Sequence, residues 1–275
     1  MLHVLNGDST YQSLRPLQLE GRALVWRDAT LQGPVPNGLA SDADWRERGR
    51  WLAAHAGIME REFVEGALTF RRDLASAKQT EEVVLWFEED LFCQLPLCYL
   101  LTQMPAGAKW SVICPEDKLG PSPPDVLARR FDERRAADAP LVELARRAWR
   151  AYASADPREV LPLATTSDAR WPLLARGLRL HLARFPAPRD GLSAMQRAML
   201  ADLASEGGES AFRDHFARLE VADREVSHLQ LGVAEVAFDQ RQALGRPQDV
   251  PRPGMSEQVR MNRRGLAAAA VDGSA

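Results

Sequence analysis

Four short and almost uninterrupted apolar segments constrain the fold of this chain more than any other feature. They are LHVLN at 2–6, ALVW at 23–26, VVLWF at 83–87 and WSVIC at 110–114. Strands that are covered on both faces read as continuous apolar runs, whereas strands with one solvated face alternate. Segments with apolar residues at helical spacing lie between them, at 42–55, 60–77 and 91–101. The pattern predicts an α/β fold over residues 1–120, a Rossmann-like parallel sheet sandwiched by helices.

The second half of the chain has a different pattern. KLGPSPPDV at 118–126 is rich in proline and glycine, which predicts a boundary there. Helical spacing then returns at 138–153, 158–164, 171–185, 193–204 and 223–244 without a convincing strand, with Ser193 as an expected N-cap. We therefore expect a mostly helical domain at 121–245. The sequence after Gly245, GRPQDVPRPG, is poor in apolar residues, which predicts a flexible tail at 246–275.

Two interpretations fit the helical segment that begins at DGLSAMQ. With Gly207 and Gly208 at a turn, it resembles the start of a winged-helix or helix-turn-helix unit that contacts DNA. Recognition helices usually bring several basic residues to the phosphates, however, and here FRDHFARLEVADREVSHLQ alternates acids with bases. A plain helical module for packing or for a protein partner fits equally well.

Composition and charge exclude several classes of protein. The chain has 275 residues, 45% of them hydrophobic, and a formal net charge of -3, which gives no overall attraction to nucleic acid or to an anionic membrane. It has neither an apolar run of about 20 residues nor the features of a signal peptide, so we expect a cytoplasmic protein without a membrane partner. Three cysteines and five histidines lack the spacing of a structural metal site, and we expect the thiols to be buried.

Acidic residues follow three of the four predicted strands. They are Asp8 in NGDS, Asp28 in WRDAT, and Glu88 with Asp90 in FEED. Parallel strands end at one edge of a sheet, where ligands bind, so these four are candidate catalytic residues around one crevice. Mg²⁺ prefers such oxygen ligands, and Asp8, Glu88 and Asp90 are its candidate ligands. Alternatively, one carboxylate acts as a general base, or the acids merely cap helices and shape turns.

The motifs NGDS, VWRD, GPVP and LWFEEDLFCQL, in this order, resemble the bacterial family catalogued as domain of unknown function 1835. The resemblance covers about residues 1–120, and RRAW at 146–149, LHLARFP at 180–186 and DGLS at 190–193 resemble the usual C-terminal companion of that family. It implies an α/β domain, and the matched positions are Asp8, Ser9, Trp26, Asp28, Gly33, Pro34, Trp86, Glu88, Asp90 and Gln94. Relatives often carry histidine at the position of Glu89, which argues against a mechanism that needs an imidazole there. We expect Gly7, Ser9, Gly33 and Gln94 to bind a ligand.

Other motifs are weaker. Gly7-Asp8-Ser9 also opens the GDS-type esterases, but no late Asp-x-x-His follows it, and Ser9 or Thr10 is better explained as a helix cap. Neither a GxGxxG nor a P-loop motif is present, and His181 has the pattern of a structural histidine. The leading hypothesis is binding or hydrolytic processing of a phosphate-bearing small molecule or nucleotide at this acidic crevice, by a metal-dependent hydrolase or transferase that acts on phosphoesters. The alternative is a ligand-sensing regulator without enzymatic activity, whose helical domain contacts DNA or protein. The sequence does not fix the oligomeric state.

Overall fold

A computed structural model describes residues 1–77 and 81–205, together with 209–210, 218 and 259–260. The strands are β1 Leu2–Asn6, β2 Arg22–Trp26, β3 Glu82–Trp86, β4 Lys109–Ile113, β5 Arg135–Ala136, β6 Glu209–Ser210 and β7 Val259–Arg260. The α-helices are α1 Gly7–Leu14, α2 Asp42–Ala56, α3 Glu60–Ala75, α4 Leu91–Thr102, α5 Pro124–Asp132, α6 Ala139–Tyr152, α7 Leu161–Thr165, α8 Pro172–Ala183 and α9 Ala194–Ser205. Short 3-10 helices occupy Arg15–Leu17, Pro36–Leu39 and Pro157–Val160.

The main sheet has the strand order β2-β1-β3-β4-β5. Its first four strands are parallel and are the four predicted from the apolar runs, each within one residue at either end. Strand β5 pairs antiparallel with β4 and was not predicted, because Arg135 and Ala136 are exposed and show no apolar pattern. Strands β6 and β7 form a separate two-stranded pair, also absent from the prediction.

Both faces of the sheet are covered at β1, β3 and β4, as the apolar runs predict, whereas the edge strand β2 is partly exposed. Val4 and Leu85 point into a large core that includes residues of α2, α3 and α4. Their neighbours Leu5 and Trp86 point into a smaller core on the other face, with residues of α1 and α5. Alternate residues of one strand therefore bury opposite faces, and the α/β fold with helices on both sides is confirmed.

The strand order reverses between β1 and β3. The chain passes from β1 to β2 on one side and then returns to β3 on the other side of β1. In open α/β sheets a ligand crevice forms outside the carboxyl ends of the two strands that flank such a switch point. The fold thus directs attention to residues that follow Asn6 and Trp86.

Helices α6, α7 and α8 share the large core with the sheet, whereas α5 packs in the smaller core. The predicted boundary falls in the loop between β4 and α5, but β5 beyond it joins the sheet, and α6 and α8 pack on α4. The indole nitrogen of Trp149 donates to the carbonyl of Gly38 at 2.8 Å, and the hydroxyl of Tyr152 donates to the carbonyl of Thr30 at 2.9 Å. These bonds fix α6 against the loop that follows β2.

Local signals set most helix ends correctly. Gly57 ends α2 with φ +66°, a left-handed conformation that glycine adopts easily. Ser193 starts α9, because its Oγ accepts from the backbone of Gln196 while the Gln196 side chain accepts from the Ser193 backbone. The predicted cap at Ser9 or Thr10 is wrong, since α1 begins at Gly7, directly after β1.

Some predictions lie outside the described residues. They are the helix at 223–244, the turn at Gly207 and Gly208, and all of the tail at 246–275 except the pairing of Val259–Arg260. The DNA-binding interpretation needs these segments and stays a prediction. Within the described ranges, no helix combines the length and apolar character that crossing a membrane requires.

Candidate functional site

A group of two carboxylates and a thiol lies where the loop after β3 enters α4. Ligand atoms of Glu88, Asp90 and Cys93 lie within 4.8 Å of one another, and we call these three residues the switch-point cluster. Asp90 is the N-cap of α4 and accepts a hydrogen bond from the Cys93 backbone at 2.7 Å. The cap geometry itself therefore brings the carboxylate of Asp90 and the Cys93 side chain to the same end of the helix.

Glu88 has the most unusual electrostatics of the cluster. Its Oε1 accepts hydrogen bonds from the backbone of Leu119 at 2.6 Å and of Gly120 at 3.3 Å. Burial disfavours the charged carboxylate, and the negative charge of Asp90 disfavours it further, so the pKa of Glu88 rises to about 7 in spite of these two donors. Glu88 is therefore partly protonated near neutral pH and can exchange a proton or bind a cation there.

Cys93 contributes a neutral thiol. It is buried, and desolvation, followed by the charges of Asp90 and Glu88, raises its pKa well above the usual value. The amide Nδ2 of Asn6, at the end of β1, donates to Cys93 Sγ at 2.9 Å. Among the described residues, the other amide atom, Asn6 Oδ1, is buried without a hydrogen-bond partner. The cluster therefore joins the ends of β1 and β3, the two strands that flank the switch point.

The N-terminus of α1 opens beside this cluster. Asn6 gives it no side-chain cap, and Gly7, its first residue, has φ +79° and open space where a Cβ would stand. Ser9, in its first turn, is exposed and packs directly against Gly120, whose backbone donates to Glu88. An uncapped helix start of this kind presents backbone N–H groups and a partial positive charge to an anion.

Asp8 was predicted to be a catalytic residue and a metal ligand, and the structure gives it another partner. Arg27 binds its two carboxylate oxygens at 2.6 and 2.9 Å. Asp8 is not a member of the switch-point cluster. Its negative charge is thus compensated by a bidentate ion pair near the surface.

Asp28 was also predicted to be catalytic, but it lies in a buried ion pair. The guanidinium of Arg48, which is fully buried, binds Asp28 Oδ1 at 2.8 and 3.1 Å, and the hydroxyl of Thr30 donates to Oδ2 at 3.0 Å. Arg48 also donates to the backbone carbonyls of Ala29, Gln32 and Pro34. Asp28 therefore holds Arg48, which fixes the loop after β2. The structure does not bring Asp28 together with Glu88.

Of the four residues predicted to bind a ligand, two lie beside the cluster and two have structural roles. Gly7 and Ser9 lie at the start of α1, beside the cluster. Gly33 lies in the loop that Arg48 holds, and a side chain there would collide with Trp51. The buried amide of Gln94 is engaged on both sides, because Nε2 donates to the carbonyl of Glu88 at 2.6 Å and Oε1 accepts from Trp171 at 2.7 Å. Gln94 thus positions the Glu88 loop, and Gly33 serves packing.

Glu89 lies outside the cluster. It is buried, and its carboxylate binds Arg176 of α8 at 2.7 Å. The pair ties the loop between its two neighbours, Glu88 and Asp90, to the helical half of the chain. The sequence analysis identified neither Cys93, the third member of the cluster, nor Asn6, which hydrogen-bonds it. The spacing of an N-cap aspartate and a cysteine three residues later was the available signal for Cys93.

The cluster fits Mg²⁺ better than a soft metal. Glu88 and Asp90 supply two carboxylates, and a neutral thiol is a poor ligand for a hard cation. Mg²⁺ commonly takes one or two protein carboxylates and keeps waters and substrate phosphates in its remaining positions. The donor set therefore agrees with a magnesium ion that also contacts a phosphate.

Comparisons of the chain with protein-family models, with curated proteins and with solved structures found no match. The predicted resemblance to domain of unknown function 1835 stays a prediction.

Proposed function

We propose that this chain binds a phosphate-bearing small molecule or nucleotide at the switch point, with Mg²⁺ held by Glu88 and Asp90, and that it hydrolyses a phosphoester bond there. One observation carries the proposal. The two carboxylates that suit a cation and the uncapped start of α1 that suits an anion lie side by side at the carboxyl ends of β1 and β3.

Each part of the site has a distinct task in this proposal. The backbone N–H groups at Gly7 and Asp8 and the exposed hydroxyl of Ser9 bind phosphate oxygens. The metal, when bound, polarises the phosphoryl group and favours attack by water. Glu88 gives up its proton when it becomes a ligand, so metal binding is coupled to pH around the raised pKa of about 7.

Isothermal titration calorimetry of the full chain with Mg²⁺, at about pH 8 where Glu88 is ionised, tests the metal site. We expect a saturable heat for the wild type that weakens by about tenfold or more in Glu88→Gln and in Asp90→Asn. Asparagine is as good an N-cap as aspartate, so Asp90→Asn retains the start of α4. Asp125→Asn, at an exposed position of α5, is the matched control and should bind like the wild type.

Substrate class is tested by adding ADP, and separately p-nitrophenyl phosphate, to the Mg²⁺-loaded protein. We expect ADP binding that requires Mg²⁺ and release of p-nitrophenolate that is lost in Glu88→Gln. Absence of magnesium heat in the wild type, or equal heat in Glu88→Gln and Asp90→Asn, would refute the metal site. Binding of ADP without any cleavage of p-nitrophenyl phosphate would reduce the proposal to a binding protein.

A further inference from the structure

A cavity lies away from the switch-point cluster, between the end of β2 and helix α3. Its volume is about 170 Å³. Residues of β2, of the connection between α2 and α3, and of the inner side of α3 form its walls. Because β2 is the edge strand of the sheet, α3 is the element that closes this side.

We call this cavity the edge pocket. Much of its wall consists of four aromatic side chains, Trp26, Trp45, Phe63 and Phe70. The rings of Trp26 and Phe70 meet edge to face with centroids 5.2 Å apart, and those of Trp26 and Trp45 with centroids 6.0 Å apart. A cavity with such walls takes a flat or branched apolar group, and the faces of tryptophan and phenylalanine also attract cations.

The charges around the edge pocket are unequally compensated. Arg27 and Asp28 line it, but Arg27 is paired with Asp8, and Asp28 with Arg48. Glu62 of α3 also lines it, and in the described part of the chain its buried Oε2 has no hydrogen-bond partner. The terminal torsion of a glutamate side chain is soft, so either carboxylate oxygen can turn towards a ligand. A cationic group would supply the partner that Oε2 lacks.

A glycine in α3 keeps part of the wall open. Gly66 lies inside the helix, and in the described part of the chain no atom within 4 Å would meet a Cβ there. By contrast, a Cβ on Gly49 of α2 would meet Val64 Cγ2 at 2.5 Å, so packing between the helices explains that glycine. Glycine destabilises a helix interior relative to alanine, and packing gives no reason for it at position 66.

We propose that the edge pocket is a binding site for a small organic amine with an aromatic or branched apolar body, whose ammonium group pairs with Glu62. The apolar body lies among the four rings, and the ammonium group lies against the carboxylate at the wall. This site shares neither Glu88 nor Asp90 with the magnesium and phosphate site, so each proposal can fail without the other.

Titration of the full chain with 2-phenylethylamine at neutral pH, followed by saturation-transfer NMR, tests the proposal. We expect saturable binding that weakens by about tenfold in Glu62→Gln, because the ammonium group then meets a neutral amide in place of a carboxylate. Glu65→Gln is the matched control, since Glu65 lies one turn away, is exposed and pairs with Arg61. It should bind the amine like the wild type.

A second variant separates loss of the pocket from loss of the fold. Gly66→Leu places a side chain in the open wall, so it should weaken amine binding by about tenfold or more while the Tm does not fall, because leucine is a better helix former than glycine. The neutral analogue 2-phenylethanol should bind about tenfold more weakly than the amine. The proposal is overturned if the amine does not bind, if the alcohol binds equally well, or if neither Glu62→Gln nor Gly66→Leu changes the affinity.

Discussion

Asp28 and Glu88 look alike in the sequence and differ in the fold. Each follows a parallel strand at the same edge of the sheet. Asp28 receives the buried guanidinium of Arg48 and the hydroxyl of Thr30. Glu88 receives two backbone N–H groups and has the carboxylate of Asp90 beside it. The protein compensates the negative charge of Asp28, whereas burial and the charge of Asp90 destabilise that of Glu88.

An acid at a strand end therefore becomes a candidate site only where the fold provides no cation that hydrogen-bonds it. The partner of Asp28 is a helical residue 20 positions later in the chain. Among the described residues, the backbone N–H groups of Leu119 and Gly120 donate to Glu88, and the charge of Lys118 favours its carboxylate less than burial and Asp90 disfavour it, so the pKa rises to about 7. Substitutions at these residues separate a compensated charge from an uncompensated one.

The largest effect should follow from breaking the compensated pair. Arg48→Met leaves Asp28 buried without its cation and removes the donors for three backbone carbonyls, so we expect a loss of about 3–5 kcal/mol in the free energy of unfolding. Urea denaturation measures it. Arg46→Met, at an exposed position of the same helix, is the control and should change stability by less than about 0.5 kcal/mol. Equal effects of the two variants would refute the role of Arg48.

Glu88→Gln should raise the free energy of unfolding at alkaline pH, whereas Arg48→Met lowers it. The folded chain binds the Glu88 proton with a pKa of about 7, whereas an unfolded glutamate has a pKa of about 4.3. The folded state therefore binds more protons in this window, and the free energy of unfolding falls as pH rises from about 4.3 to 7. Glutamine does not titrate, so at about pH 8 the variant should be more stable by up to about 3 kcal/mol, and by little at about pH 4.

Thermal unfolding of both proteins at the two pH values measures this difference. A variant that is less stable than the wild type at alkaline pH would show that the ionised Glu88 is compensated after all.

The strands were predictable because a strand that is buried on both faces needs a continuous run of apolar residues in the sequence. VVLWF is apolar at every position and LHVLN at three of its five, and each forms a strand at that place. Strand β5 has no such apolar run. Its two residues are exposed, and only their pairing with β4 makes them a strand. The cap at Ser9 was misplaced because Gly7, with a positive φ, allows α1 to start without the expected turn.

The candidate site was only half predictable, for a related reason. Glu88 and Asp90 were identified from their position after a strand, and local chain geometry keeps them together. Whether Asp8 and Asp28 join them depends on Arg27 and Arg48, and only tertiary packing brings Arg48 to Asp28. Likewise, the engagement of Gln94 by Trp171 spans 77 residues and has no local signal.

Two glycines extend the comparison to apolar packing. Gly49 is enclosed by Val64, whereas Gly66 faces open space. Gly49→Ala should therefore destabilise the protein by about 1–3 kcal/mol, and Gly66→Ala should stabilise it by about 0.5–1 kcal/mol. Urea denaturation of the two variants checks the opposite signs. The same sign for both would contradict the packing described for α2 and α3.

The smallest effect is expected at Asp8. Its pair with Arg27 is partly exposed, so Asp8→Asn should change the free energy of unfolding by less than about 1 kcal/mol. The heat of Mg²⁺ binding should also stay near that of the wild type, because Asp8 lies outside the switch-point cluster. Loss of magnesium binding in Asp8→Asn would show that Asp8 is a metal ligand like Glu88, and would contradict its assignment to the ion pair with Arg27.

The pKa of Glu88 itself tests the central claim most directly. Carbon-13 NMR of the full chain with labelled glutamate, in which Glu88→Gln identifies the resonance, follows its titration. We predict a pKa of about 7 without metal and a marked fall when Mg²⁺ is added, because the cation competes with the proton. A pKa near the ordinary value of 4.5, or one that Mg²⁺ does not change, would contradict the account.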